Sequence, residues 1–379
     1  MELDKNLLDD GKRQMRLCNA CRYCEAYCAV WQAIEWRRDF DDNDMKYLAN
    51  LCHDCGDCYY ACPFTTPHEF GINPPKLFAS LREETYQNYA WPRSWGKALG
   101  EKISGFWIAF ILITFVFFAF IIGEHGIAAL FQRFTGEGSF YQLIPEYLMT
   151  GIFSALGLWM VGVWFIGARR FWRDIRSSKD ESATFKDVVT ATKYAADLRN
   201  LGGKNKGGCT DQEGKSSTNR RWLHHFVGYG FLLTFASTTL AAFCAHILQS
   251  PAPYSVFHPV VLLGTVGGIG IIVGTTGLLY FKLKRDPELT DEQANKSGAS
   301  FTMALWTVAI TGMLLLILRE TVAMNVLLVA HLGSIAAFFF TAPYTKFVHF
   351  VYRYLSLVNY AYEERVATAE KEVQHKKTS

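Results

Sequence analysis

Strong charge of either sign is missing from this chain: 38 Lys and Arg stand against 35 Asp and Glu in 379 residues, a formal net charge of +3. That balance excludes the basic surface a nucleic-acid binder needs, so where the basic residues sit matters more than their sum. The N-terminal MELDKNLLDDGKRQMRL is acidic in part and lacks the apolar run of a secretory signal. The region after it is therefore expected to stay in the reducing cytoplasm, where disulfides are not expected. No phosphate-loop spacing and no hydride-transfer or nucleotide-binding motif occurs, which places any such chemistry on another chain. Cysteine is nearly absent outside one stretch, since eight of the ten lie between Cys18 and Cys62. Apolar residues are abundant, at 50% with 29 Phe. Mean hydropathy is nonetheless only slightly positive, so polar and apolar material must be segregated along the chain.

The eight cysteines repeat one spacing. Cys18, Cys21, Cys24 and Cys28 in CNACRYCEAYC, and Cys52, Cys55, Cys58 and Cys62 in CHDCGDCYYACP, both read C-x2-C-x2-C-x3-C. A duplicated run of this kind is the ligand pattern of two [4Fe-4S] cubanes, in which three close thiolates serve one cube and the fourth reaches across to the other. One cluster is then expected on Cys18, Cys21, Cys24 and Cys62, and the second on Cys52, Cys55, Cys58 and Cys28. Zinc is the alternative, but it takes four ligands, usually as two separated pairs, and has no use for successive x2 spacings. The first run departs from the pattern in having Ala29 after Cys28, where Pro63 follows Cys62. His53 is expected to support the site or face solvent rather than ligate. WQAIEWRRDFDDNDMKYLANL reads as one helix spacing the two runs, and FGINPPKLFASLREETYQ as a proline-broken loop entering an amphipathic helix. Residues 1–92 are thus expected to form a small α-helical ferredoxin-like domain that leans on its clusters for stability.

Six later stretches, approximately 103–122, 148–168, 226–248, 257–281, 299–318 and 323–345, are long enough to cross a ~30 Å hydrocarbon core. None contains Asp, Glu, Arg or Lys. Six spans put both termini on one side. The 169–222 connection carries 13 Lys and Arg and the 282–298 connection four, whereas the opposite connections carry only Arg133 and Arg319. This asymmetry predicts a multi-pass protein of the inner (cytoplasmic) membrane with the cysteine domain, both basic loops and both termini in the cytoplasm. The membrane domain is expected over 93–357, including the cytoplasmic loop 169–222, with 358–379 as a cytoplasmic tail. LGGKNKGGCTDQEGKSSTNRR within the loop reads as a flexible linker, with a docking segment as the alternative. Cys209 there and Cys244 in a span read as free thiols.

The membrane histidines fall in two layers. His224, His225 and His349 lie at the cytoplasmic ends of spans three and six; His246, His258 and His331 lie toward the opposite face. On a continuous helix, residues 331 and 349 are five turns apart and share a face about 27 Å along the axis. Spans three and six run antiparallel, so His224 or His225 is expected to meet His349, and His246 to meet His331. Each pair suits a bis-histidine b-type haem held between two helices, the first pair as the expected site and the second as a possible further one, with His258 competing for it.

HLGSIAAFFFTAPYTKFVH, from His331 to His349, resembles the ligand-bearing last span of the respiratory nitrate reductase gamma subunit and related haem b proteins. RRWLHHFVGYGF is similar to their partner helix, although Phe235 stands near the point where that family carries a second histidine. A twin-cluster domain followed by six spans resembles, over nearly the full length, the tricarballylate (citrate) utilisation protein B family. That resemblance implies an all-α membrane electron-transfer protein, an oxidoreductase subunit. It would reoxidise the reduced flavin of a partner FAD-dependent tricarballylate dehydrogenase and pass electrons through two [4Fe-4S] clusters and haem b to the quinone pool. A subunit of a heterodisulfide-reductase-like or nitrate-reductase-like complex is the nearest alternative, but the former needs a further cysteine-rich site that is absent. A membrane redox sensor or transporter is the alternative of another class; charge-free spans argue against it.

Overall fold

The computed structural model describes residues 3–25, 27–100, 105–136, 138–176, 181–202, 209–210 and 215–378. The first helix, α1 (Lys5–Cys21), starts where the Asp4 carboxylate accepts the N–H groups of Asn6 and Leu7. The segment expected as a single spacer helix is two, α2 (Ala29–Glu35) and α3 (Asp42–Leu51). Asp41 makes the break: its carboxylate accepts the Asp44 N–H while the Asp44 carboxylate accepts its own, a capping box that starts a new helix. A single turn, α4 (Asp57–Tyr60), lies inside the second cysteine run. The next helix, α5 (Pro74–Tyr89), begins as its sequence suggests, with Asn73 as cap and proline in the first turn. A short α6 (Arg93–Gly100) leads to the apolar region.

Six helices there are long and apolar enough to cross a membrane. They are α7 (Gly105–His125), α8 (Glu146–Ile175) and, after the loop helix α9 (Phe185–Ala196), α10 (Asn219–His246), α11 (Pro259–Leu283), α12 (Glu292–Leu318) and α13 (Met324–Thr341). Several outrun their apolar cores. Helix α12 illustrates why: it starts at its cap, Asp291, whose carboxylate accepts the Ala294 N–H, rather than at the first apolar residue. Hydropathy marks what lipid can cover, whereas caps mark where the helix ends.

The C-terminal part departs from expectation in two places. His331 and His349 do not share one helix, because α13 stops at Thr341 and the chain passes through two 3-10 turns, Ala342–Tyr344 and Lys346–Val348. Pro343 has no N–H to continue the ladder. His349 is instead the first residue of α14 (His349–Thr378). The stretch from 358, set apart in sequence as a tail, continues this helix. Its Leu357, Val358 and Tyr360 are buried in one core with Met15, Ile34, Leu48 and Phe78 of the cysteine module.

The loop between α8 and α10 is partly structured. Thr184 and Asp187 form a capping box at the start of α9, and Arg365 of α14 donates to Asp187 at 3.0 Å. Cys209–Thr210 and Ser216–Ser217 make a two-residue antiparallel pair. Residues 203–208 and 211–214 of the expected linker lie outside the described residues.

Backbone contact across α10 and α11 depends on glycine. A Cβ built on Gly230 would lie 2.7 Å from the Gly267 carbonyl oxygen, and one on Gly274 would lie 2.7 Å from that of Leu223. Small residues let membrane helices approach this closely, which fixes the start of α10 beside the end of α11.

Candidate cluster and haem site

Helix ends position the thiols. Arg22 turns α1 off with a left-handed φ of 55°, its N–H returning to the Cys18 carbonyl, so Cys18 and Cys21 flank the turn that carries Cys24. A cavity of about 300 Å³ opens there, lined by Cys18, Cys21, Cys24 and Cys62, with Cys58 at its inner side and Trp31, Phe64 and Ile72 among its apolar walls. Burial, together with the nearby thiols of Cys62, Cys24 and Cys21, pushes Cys18 up to about 12. The second group forms where Cys28, at the cap of α2, meets the 52–58 loop. Burial and the neighbouring Cys52 thiol push Cys28 up to about 12. Burial also raises Cys58 well above its ordinary value, with Cys55, Cys52 and Cys28 adding to the effect. Cys62 thus lines the cavity of the first run, and Cys28 lies beside Cys52 and Cys58.

These residues fit cubanes rather than zinc. A structural zinc site takes four ligands, usually as two separated pairs. The thiols instead ring a space, and backbone N–H groups are aimed at sulfur. Asp54 N–H donates to Cys52 Sγ and Phe64 N–H to Cys62 Sγ, each at 3.4 Å. Hydrogen bonds of this kind tune cluster potential. Protons held on the buried thiols would be released as iron binds.

The two groups face different surroundings. Cys21 is exposed and Tyr23 beside it is 62% exposed, whereas the 52–58 loop lies against the ends of the membrane-length helices at Arg220 and Arg285. Asp54, between two cysteines at φ 57°, holds that joint. Its carboxylate accepts both Nη atoms of Arg285 at 2.6 and 2.7 Å and lies 3.7 Å from Arg82, while its carbonyl accepts Arg220 Nη1 at 2.6 Å. Arg353 Nη1 and Arg82 Nη1 donate to the Cys52 carbonyl at 3.0 and 3.3 Å. Sequence reading missed this joint. Arg285 lies one turn beyond an apolar segment and its sequence signal was spent on orientation, whereas Arg353 lies eight residues beyond the last apolar segment, in the stretch between it and the expected tail.

Although burial opposes its charge, the Arg285 and Arg82 guanidiniums hold Asp54 well below the usual carboxylate range. A carboxylate with a depressed pKa stabilises the fold above its unfolded value near 4 and loses that contribution as pH falls toward the folded one. The joint should thus be intact at neutral pH and loosen only in strong acid. Replacing Asp54 with alanine leaves two buried guanidiniums unpaired and should destabilise by about 3–5 kcal/mol. Thermal unfolding of the purified protein checks this, and Asp54→Asn, which tolerates the left-handed backbone, should recover part of the loss.

The histidines sort themselves beside this joint. His224 of α10 and His349 of α14 have ring centroids 6.3 Å apart. Two imidazoles sharing one metal, each at a bond of about 2 Å, put their centroids roughly 6 Å apart. His349 Nδ1 is held 2.7 Å from the Lys346 carbonyl oxygen, which leaves Nε2 for a metal, the usual arrangement for a ligating imidazole. Burial, with His224 and Arg353 close by, pushes His349 down to about 3, so its ring is neutral. His225 turns away and stacks on Tyr229 at 5.5 Å, which selects His224 over it. In the other layer, His331 lies 3.1 Å from Thr311 Oγ1, His246 faces Glu146 at 3.5 Å, and His258 accepts the Val260 N–H as a helix cap. His53 is buried, and its Nδ1 has no hydrogen-bond partner; Arg353, Arg82 and His224 surround it.

A ferredoxin-type cysteine module packed on one end of six membrane-length helices defines the class: a multi-pass membrane protein of iron–sulfur type. Residues 11–88 match the family model described as the citrate utilization protein B Fer4-like domain, and residues 109–370 the model described as citrate utilization protein B. "Citrate utilization protein B" of Escherichia coli is 39% identical over 354 residues, covering 93% of this chain and 92% of that protein. No solved structure matches. The chain belongs to the citrate utilization protein B family.

Proposed function

We propose that this protein is the membrane electron-transfer partner of a separate FAD-dependent dehydrogenase, taking electrons from its reduced flavin and delivering them to membrane quinone. Tricarballylate is the substrate class that the family resemblance assigns to that dehydrogenase, in keeping with citrate utilisation. Cys18, Cys21, Cys24 and Cys62 would hold the outer [4Fe-4S] cluster, Cys28, Cys52, Cys55 and Cys58 the inner one, and His224 with His349 one haem b. Bound there, these groups would supply one-electron carriers between a two-electron flavin and quinone.

The observation that carries the reading is one residue serving both sites. Arg353 donates to the carbonyl of Cys52 and stands one turn beyond His349 on α14, so the inner thiols and the histidine pair adjoin across a single guanidinium. The outer thiols, with exposed Cys21, face the side from which a soluble flavoprotein can approach. Apolar side chains line the outer thiol cavity, and peptide N–H groups aimed at sulfur set the electrostatics of both groups. Both basic connections touch the cysteine module, through Arg220 and Arg285, which supports a cytoplasmic placement of that whole face.

The test is anaerobic mixing of the flavoprotein, reduced by its substrate, with the detergent-purified protein and a soluble quinone. Flavin absorbance should recover only when this protein is present, and Cys21→Ala should slow the recovery at least tenfold. A flavin that stays reduced with intact protein and quinone present would refute the proposal.

A further inference from the structure

The joint buries more positive charge than the chain balances. Arg82 and Arg285 share Asp54, and Arg220 is taken up by the Asp54 carbonyl. Three further cations remain. Arg353 Nη1 bonds the Cys52 carbonyl, but its Nη2 is buried without a partner among the described residues. Lys282, at the end of α11, and Lys346, in the turn before α14, meet over one glycine: a Cβ built on Gly298 would lie 2.6 Å from Lys282 Nζ and 2.9 Å from Lys346 Nζ. Among the described residues, neither ammonium has an ion pair within 4 Å. Glu83 accepts from Ser297 and faces Lys346, and Asp54 also acts on both lysines. Two ammonium groups side by side and a half-bonded guanidinium carry a large desolvation cost unless an anion joins them.

Their position says which anion. Lys346 is the residue whose carbonyl orients His349, and Arg353 follows His349 by one helical turn. Lys282 is drawn to the same place because the glycine contacts bring the end of α11 against the start of α10, which carries His224. Lys346 and Arg353 therefore lie beside His349 and Lys282 meets Lys346, so the carboxylates of a porphyrin held by those rings would find cations there.

We propose that Lys282, Lys346 and Arg353 receive the two propionate groups of the haem, an assignment that rests on the haem reading of His224 and His349. Charge-assisted bonds to a carboxylate are about twice as strong as neutral ones, so these residues fix the rotation of the macrocycle as well as its affinity. Removing them also removes positive charge that stabilises the more negative, reduced haem.

The test uses the full-length, detergent-purified protein and its Lys282→Met/Lys346→Met variant, with Arg353→Gln as an independent second variant. Cluster EPR signals serve as the check of folding. Resonance Raman should show the propionate bending bands of the haem displaced in both variants, and a redox titration should move the haem midpoint in the negative direction while cluster EPR amplitudes hold. Lys346→Arg should restore both readouts. A b-type haem whose Raman bands and midpoint match wild type in the variants would overturn the propionate assignment and leave the haem reading standing. A wild-type protein with intact cluster signals and no b-type spectrum would overturn both.

Discussion

His349→Ala is expected to abolish the b-type spectrum while leaving about eight non-haem irons per chain, the content of two cubanes. Loss should be complete because a haem held by two imidazoles depends on both. His225 stacks on Tyr229, and His331 is occupied by Thr311 on another part of the bundle. The clusters should survive because His349 starts a helix whose packing on the cysteine module comes from farther along. Leu357, Val358 and Tyr360 are buried there, and the Arg37–Glu363 ion pair at 2.6 Å is among the contacts. His225→Ala, in contrast, should retain haem. The measurement is a reduced-minus-oxidised spectrum with iron analysis on the same sample. Retention of haem in the His349 variant would contradict the pairing.

Cys62→Ala has the second largest expected effect, and its location distinguishes crossed from local ligation. Cys62 lies ten residues beyond Cys52 in sequence but lines the cavity of Cys18, Cys21 and Cys24. Losing it should therefore empty the site built mainly by the first run, halving non-haem iron to about four per chain. The EPR spectrum left by Cys62→Ala should equal that left by Cys18→Ala and differ from that of Cys52→Ala. If Cys62→Ala and Cys52→Ala gave the same residual spectrum, each run would be serving its own cluster. The module also draws stability from its metals, so either loss should lower its resistance to proteolysis.

Much of this arrangement was legible because its signals are local and periodic. Two identical cysteine spacings point to iron–sulfur chemistry without any knowledge of the fold, and charge-free apolar stretches of membrane length leave little choice of structure. The break between α2 and α3 was written in DFDDND as a capping box, which apolar periodicity does not weigh. Continuity of the last span through His349 failed at Pro343, where a hydrophobic run persists although the hydrogen-bond ladder cannot. The pairing of His224 with His349 needed only the depth of each residue. The choice of His224 over His225 needed side-chain direction, which neighbouring residues on a helix settle by packing. The joint around Asp54 was not legible, since its partners are up to 301 residues apart and an arginine near a span end serves orientation and contact with the same letter.

Chemical analysis of the detergent-purified protein for iron, acid-labile sulfide and haem b per chain tests the central claim most directly. About eight non-haem irons, a matching amount of sulfide and one haem b are expected. A protein that held its iron without labile sulfide, or that carried zinc in its place, would contradict the claim.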